Sequence, residues 1–480
     1  LSLTEYAQRL EALQIQLNRE TFNQGAGLAY DEARMAALSA DIERLARMAL
    51  DSLPASAFPR PLLWDTLLNS RASDYTRLRN TIHRLRAEAV AVTVDGETVN
   101  LSNWRLFARR HLRNAEARRR AFDGLMDAAA ALTPVLQQRF ALSRDLYARY
   151  GVTPLDVYLE DEALSLPRLK TLVTTTARAA RAPFREAAER YARELLSKPF
   201  EYYDDMYVFA GSIYEPFDPQ FAAIAFDDHP NATYRRLGFD MSRISIDDEP
   251  RPGKHVSPSC WPIDVPRDIR VMYQRTSPSY DYTGYCHEMG HAVHFASIDA
   301  ARPYHERYLV TDGVAEIFST LFETLGTDPV YLSEEVGMPA DVIAGIRARE
   351  QFMEWSFLVF YGANSLFKIR FWEDGLTVGA ADAAYGELYA DLVGQTIPGR
   401  YWQTHHVAGM YDIYAPSYLL AKVRMEELKT RLRADFGEAW WRNPKAGAYL
   451  RDVLMAPGRA VDLLMFSRLD EGPYLRSVGL

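Results

Sequence analysis

The sequence predicts a mostly α-helical protein with a minor β element, and three observations carry that expectation. Apolar residues recur at helical spacing over most of residues 4–198 and again from 285 to the end. Strict alternation is confined to short runs, "VTVDGETVNL" (92–101), "SRISID" (242–247) and "IRVMYQ" (269–274). Apolar content of 48% and charged content of 25% are those of an ordinary globular chain, which excludes the disordered and fibrous classes.

Taken in order, residues 4–52 read as two helices separated at Gly25 and Gly27, with Ser2 and Glu5 placed as a capping box for the first. The Pro-rich stretch 52–61 breaks the pattern, which resumes from Leu62 to Val92. Asp95-Gly96 between alternating residues marks a two-residue hairpin. Helical stretches follow over 103–150 and 166–196. After Pro199 the chain becomes rich in Tyr, Pro and Asp, which suits a small sheet with long loops as far as about 283. A chain of 480 residues ordinarily forms more than one domain. The change at Pro199 sets the expected division: an N-terminal helical region, 1–198, and a region carrying the chemistry, 199–480.

The formal charge of −9 argues against a general nucleic-acid binder, whose affinity rests on Lys and Arg. The basic runs at 77–86 and 108–120 have helical spacing and read as solvated faces. No apolar run approaches the ~20 residues that span a bilayer, so no membrane partner is expected. Two cysteines, Cys260 and Cys286, make no disulfide framework and read as buried apolar residues. Residues 1–17 form an amphipathic pattern unlike a signal peptide, and the expected location is cytoplasmic.

The chemistry concentrates in "YCHEMGHAVHF" (285–295), which contains H-E-x-x-H as His287, Glu288 and His291. In a helix, positions i and i+4 share a face, so His287 and His291 point two imidazoles at one ion. Glu288, one position on, reaches a water at that ion without being a ligand. Thr283 is placed to cap the helix. A catalytic zinc needs a third protein ligand and an open position. Gly and His are missing three and six places after His291, where His294 and Ser297 stand, which excludes the metzincin pattern. The helix "TDGVAEIFSTLFETL" (311–325) offers Glu316 among apolar residues, where a carboxylate is costly unless paired or metal-bound. Glu323 on the same helix is expected to be exposed. Asp312 is placed either to hydrogen-bond a ligand histidine or to cap the helix. His294 reads as a packed histidine.

The set "HEMGH" with Glu316 inside "DGVAEIFST" resembles the thimet oligopeptidase and oligoendopeptidase F family of zinc peptidases. "RPGKHVSPSCW" (251–261), "HVAGMYDIYAPSY" (406–418) and "LRDVLMAPGRAVDLL" (450–464) are similar to further segments of that family. The resemblance implies two helical lobes flanking a deep channel, with a small β-sheet beside the zinc helix. It also implies one Zn²⁺ held by His287, His291 and Glu316, with Glu288 as general base. His406 and Tyr418 are implied as substrate-side groups, with Tyr411 between them and His405 as a structural neighbour. Where the family commonly has a second Tyr, this chain has Ala415, with Tyr414 adjacent. The activity implied is internal cleavage of short unstructured peptides, with residues 253–260 pairing with the peptide backbone as an added strand. Two alternatives remain: a carboxypeptidase of the Taq type, whose third-ligand motif is H-E-S-Q, and a non-catalytic peptide binder that keeps the zinc.

Overall fold

A computed structural model describes residues 1–255 and 257–480, and it is mostly helical with two small sheets. The chain forms two compact units, each assembled from three stretches: 1–77, 223–337 and 424–468 in one, and 78–222, 338–423 and 469–480 in the other. A single boundary at 198/199 therefore does not separate the units. The change in texture at Pro199 marks a change of secondary structure, whereas the units are set by contacts between stretches remote in sequence. Glu11 shows this: its carboxylate takes the Arg307 guanidinium at 2.6 Å, tying the first helix to residues 223–337.

In the first unit the expected N-terminal pair is present as helices Leu3–Gly25 and Glu32–Ser52. Ser2 accepts the Glu5 N–H at 3.2 Å and Asp31 accepts the Arg34 N–H at 3.0 Å, so each helix starts on a side-chain cap. The first buries Tyr6, Leu10, Leu17 and Phe22 along one face. The sheet has three strands in the order Ile244–Asp247, Asp268–Met272, Ser259–Asp264, parallel in the first pair and antiparallel in the second. Ser259–Asp264 is thus an edge strand. The segment before it is fixed by Lys254, whose buried ammonium donates to the Asp247 carboxylate and to the Asp247 and Glu249 carbonyls, each at 2.9 Å. Val256, within the predicted strand 253–260, lies outside the described residues.

The H-E-x-x-H helix runs from Pro278 to Ser297, so it begins five residues before the predicted cap. Thr283 lies one turn inside, bonded back to the Ser279 carbonyl at 3.1 Å. Pro278 suits a first helical turn, and the Asp281 carboxylate takes the Thr276 and Ser277 N–H groups at 2.8 and 3.0 Å. The second helix of interest spans Asp312–Glu323 and packs against the first.

The second unit contains the predicted hairpin, Ala91–Val94 paired with Glu97–Asn100, with Asp95 and Gly96 both in the left-handed region (φ 52° and 85°). The stretch 103–150 is not continuous. It divides into Trp104–Arg110, Ala115–Ala128 and Thr133–Ala148, because Asn114 caps the second piece and Pro134 occupies the first turn of the third. Helix Leu166–Tyr191 packs on the long helix Ala340–Glu373. No helix is long and apolar enough to cross a membrane among the described residues.

Asp205, 3% exposed in this unit, accepts the Tyr401 hydroxyl at 2.7 Å and the Trp104 indole N–H at 3.2 Å. Burial outweighs these bonds and raises its pKa from 3.8 to about 6. The neutral acid is the form the fold favours, so its stabilising contribution is full below pH ~4 and is lost as pH rises through about 6. The loss is at most about 3 kcal/mol. Asp205→Asn should remove that dependence. Urea unfolding at pH 4 and 7 should show wild type losing roughly 2–3 kcal/mol relative to the variant; equal losses would contradict the assignment.

Candidate metal centre

The site is built where the two helices of the first unit touch. His287 and His291 stand one turn apart, with ring centroids 5.0 Å apart and planes at 82°. Their Nε2 atoms lie 3.4 and 3.5 Å from the same oxygen, Oε2 of Glu316. Glu316 is 1% exposed, as the sequence requires of a carboxylate with a partner. Among the described residues these three form a group whose ligand atoms all lie within 4.8 Å of one another.

The donor set fits a zinc ion. Ligand atoms at 2.0–2.1 Å in a tetrahedron stand about 3.3–3.4 Å apart, which is the spacing from both imidazoles to Glu316. A direct N–H···O bond would be nearer ~2.9 Å. Two nitrogens and one carboxylate oxygen also suit zinc chemically, and three protein ligands leave a position for water or substrate.

Gly290, the fourth letter of H-E-M-G-H, makes this approach possible. A Cβ there would lie 2.5 Å from the Phe318 carbonyl oxygen and 2.6 Å from Ser319 Cα. Any side chain would push the Glu316 helix away from the histidines. Two further groups hold the ligands. Ser319 Oγ donates to Glu316 Oε2 at 2.8 Å, and Glu323 Oε2 stands 2.9 Å from His287 Nδ1. Glu323 was expected to be exposed, and its side chain is indeed 38% exposed. It nevertheless supplies the carboxylate–histidine contact that the sequence offered to Asp312. Seven residues separate Glu316 from Glu323, two helical turns, so both face the histidine helix. Asp312 sits exposed in the first turn of that helix, after the N-cap Thr311.

Electrostatics follow from this crowding. Burial alone would lower the pKa of His287, but the Glu323 hydrogen bond and charge, with Glu316 and Glu288 behind it, raise it to about 10. His287 would have to give up that proton to serve as a metal ligand. Glu288 is half-buried and lies close to Cys260 of the edge strand. Burial raises its pKa, while the charges of His287 and His291 pull it down. His294 is fully buried beside Phe318 and Phe295, and burial drives its pKa down to about 3. It is a packed neutral histidine, as expected. Cys286 is buried, and desolvation pushes its thiol well up. Cys260 is partly exposed, and its thiol is also raised by burial.

The remaining predicted residues belong to the second unit. His406 opens a wide helical turn, 406–410, and its side chain lies outside the described residues. Tyr411 is 46% exposed. Its ring packs on Tyr414 at 4.9 Å, Tyr414 on Tyr418 at 5.1 Å, and Tyr418 on Tyr361 at 4.9 Å. Ala415 is buried, whereas Tyr414 is partly exposed beside Tyr418. His405 is buried against Tyr207, with its Nδ1 3.2 Å from the Tyr207 hydroxyl, so it is a structural neighbour.

No protein-family model matches this chain, and no curated protein matches its sequence. Solved structures do share its fold. An M32 carboxypeptidase from Deinococcus radiodurans R1 matches at TM-score 0.58 and 17% identity, covering 99% of this chain and 97% of that one. A carboxypeptidase from Pyrococcus furiosus matches at 0.58 and 14% identity over 99% and 97%. Pz peptidase A with an inhibitor matches at 0.62 and 16% identity over 96% and 84%. At these identities the likeness establishes the mostly helical fold, and it does not single out the oligopeptidase family that the motifs resemble.

Two predictions follow from the geometry. Gly290→Ala should leave a folded protein with sharply reduced zinc content by elemental analysis; full zinc occupancy would show that the helices need not touch there. Glu323→Gln should weaken zinc binding by about 10–100-fold in competition with a chelator, and unchanged affinity would remove Glu323 from the site.

Proposed function

We propose that this protein is a zinc-dependent peptidase acting on short, unstructured peptides. The observation that carries the proposal is the convergence of His287, His291 and Glu316, with Glu288 beside them and free of the ligand set. A zinc ion held there supplies Lewis acidity and brings the pKa of water toward about 7. Glu288 takes the proton of the attacking water and returns it to the leaving amine. The edge strand Ser259–Asp264, which passes close to Glu288 at Cys260, offers backbone pairing to an extended peptide. Tyr418 and His406 are proposed, on the motif resemblance, as donors to the tetrahedral oxyanion, with Tyr411 contacting substrate.

Two modes of attack fit this chemistry. Removal of C-terminal residues is the better backed, because end-to-end likeness joins this chain to structures named carboxypeptidases. Internal cleavage is favoured by one residue-level observation: the third-ligand helix reads Ala-Glu-Ile-Phe at 315–318, not H-E-S-Q.

Digestion of mixed peptides of about 6–20 residues, read by mass spectrometry with and without chelator, separates the two modes. Chelator-sensitive ladders from the C-terminus support the carboxypeptidase, and chelator-sensitive internal cuts support the oligopeptidase. Intact peptides with zinc bound contradict the peptidase reading and leave a binding protein. Glu288→Gln should lower turnover roughly a hundred- to ten-thousand-fold while zinc content stays at wild type; substantial activity would rule out Glu288 as the base.

A further inference from the structure

We propose that Lys368 is a positioning residue for the turn 406–410. Lys368 lies on the long helix Ala340–Glu373, in the apolar run "SLFKIRFW", and is 0% exposed. Its ammonium sits over the rings of Phe140, Phe371 and Trp372, at 4.2, 4.9 and 5.9 Å from their centroids. It makes no ion pair among the described residues. Its hydrogen bond goes to a single main-chain oxygen, the carbonyl of Ala408, at 3.2 Å.

A buried ammonium held by one carbonyl and three rings, with the Asp412 carboxylate acting on it as an opposite charge, is costly, and burial pushes its pKa well down. A thioether one atom shorter would occupy most of the box without desolvating a charge. The fold does not need the charge, so the reason for it lies in what it grips. Ala408 is the middle of the wide turn 406–410. The same segment is anchored on both sides. Arg86 donates to the Thr404 carbonyl at 2.7 Å, before the turn. After it, the Asp412 carboxylate binds Arg139 at 2.6 Å and Ser143 at 2.9 Å, and the Trp372 indole donates to the Asp412 carbonyl at 2.7 Å. Lys368 supplies the middle anchor between these ends. A group that stabilises an oxyanion must be held to well under an ångström, and displacements of about 1 Å can cost on the order of 100-fold in rate.

This inference rests on the reading that His406 acts on substrate. The test compares Lys368→Met, His406→Ala and the double variant with wild type. Zinc content, unfolding midpoint, kcat and KM are measured on one cleaved peptide. Lys368→Met should keep wild-type zinc and an unfolding midpoint at or above wild type, while kcat falls tenfold or more and KM changes less than about twofold. In the His406→Ala background, Lys368→Met should add little further loss, because it acts through that residue. Unchanged kcat in Lys368→Met, with His406→Ala impaired, would overturn the inference alone. Wild-type kcat in His406→Ala would overturn the reading beneath it, and the inference with it. Loss of activity matched by loss of folded protein would assign Lys368 a structural role and also overturn the inference. Should Lys368→Met fail to fold, Asp412→Asn loosens the same turn from its far end. It should show the same fall in kcat at constant zinc, and unchanged kcat there would overturn the inference.

Discussion

A buried carboxylate facing two imidazoles is the constraint around which the first unit is arranged. Glu316 has almost no contact with solvent, and its oxygen stands at equal distance from His287 and His291. Unpaired, that charge would be strongly destabilising; with a divalent ion it becomes the third corner of a coordination site. Bringing it there requires two helices to touch main chain to main chain. Gly290 permits the contact, and Ser319, at the contact itself, turns the carboxylate toward the histidines. The edge strand runs past Glu288 at Cys260. The three candidate ligands and the groups that orient them are thus consequences of one helix–helix approach.

The parts of this arrangement governed by local spacing were legible in the sequence. His287, Glu288 and His291 follow from helical periodicity, and Glu316 from the anomaly of an acid in an apolar helix. The groups that depend on which helix faces which were not. Glu323 reads as surface on its own helix and acquires a role only because that surface meets His287. Ser319 is an unremarkable small polar residue until Gly290 is seen against it. Thr283 looked like a cap because it precedes the motif, yet Asp281 and Pro278 start the helix a turn earlier. The two compact units differ from the division at Pro199 for the same reason: residues 1–77 join residues 223–337 through pairs such as Glu11 and Arg307, separated by nearly 300 positions.

Under the proposed reading, whole-chain likeness and local motif favour different modes of attack. Whole-chain likeness runs to structures named carboxypeptidases, while the Glu316 segment departs from the carboxypeptidase motif. The two are compatible in physical terms. The proposed metal chemistry would need the helices, the glycine and Glu288, whereas the position of a cut along a peptide is decided by how its ends are accommodated. The second unit carries its own anomaly of the same type as Glu316, a charge inside an apolar helix. Lys368 lies within "SLFKIRFW", a stretch not singled out from the sequence, and its meaning depends on the carbonyl it meets.

The most direct test of the account is a crystal structure of the zinc-loaded protein with anomalous diffraction recorded on either side of the zinc absorption edge. The account predicts one strong anomalous peak, about 2.0–2.1 Å from Nε2 of His287, Nε2 of His291 and a Glu316 oxygen, with Glu288 outside the coordination sphere. A peak elsewhere, a cysteine sulfur among the ligands, or Glu288 bound directly to the ion would contradict it.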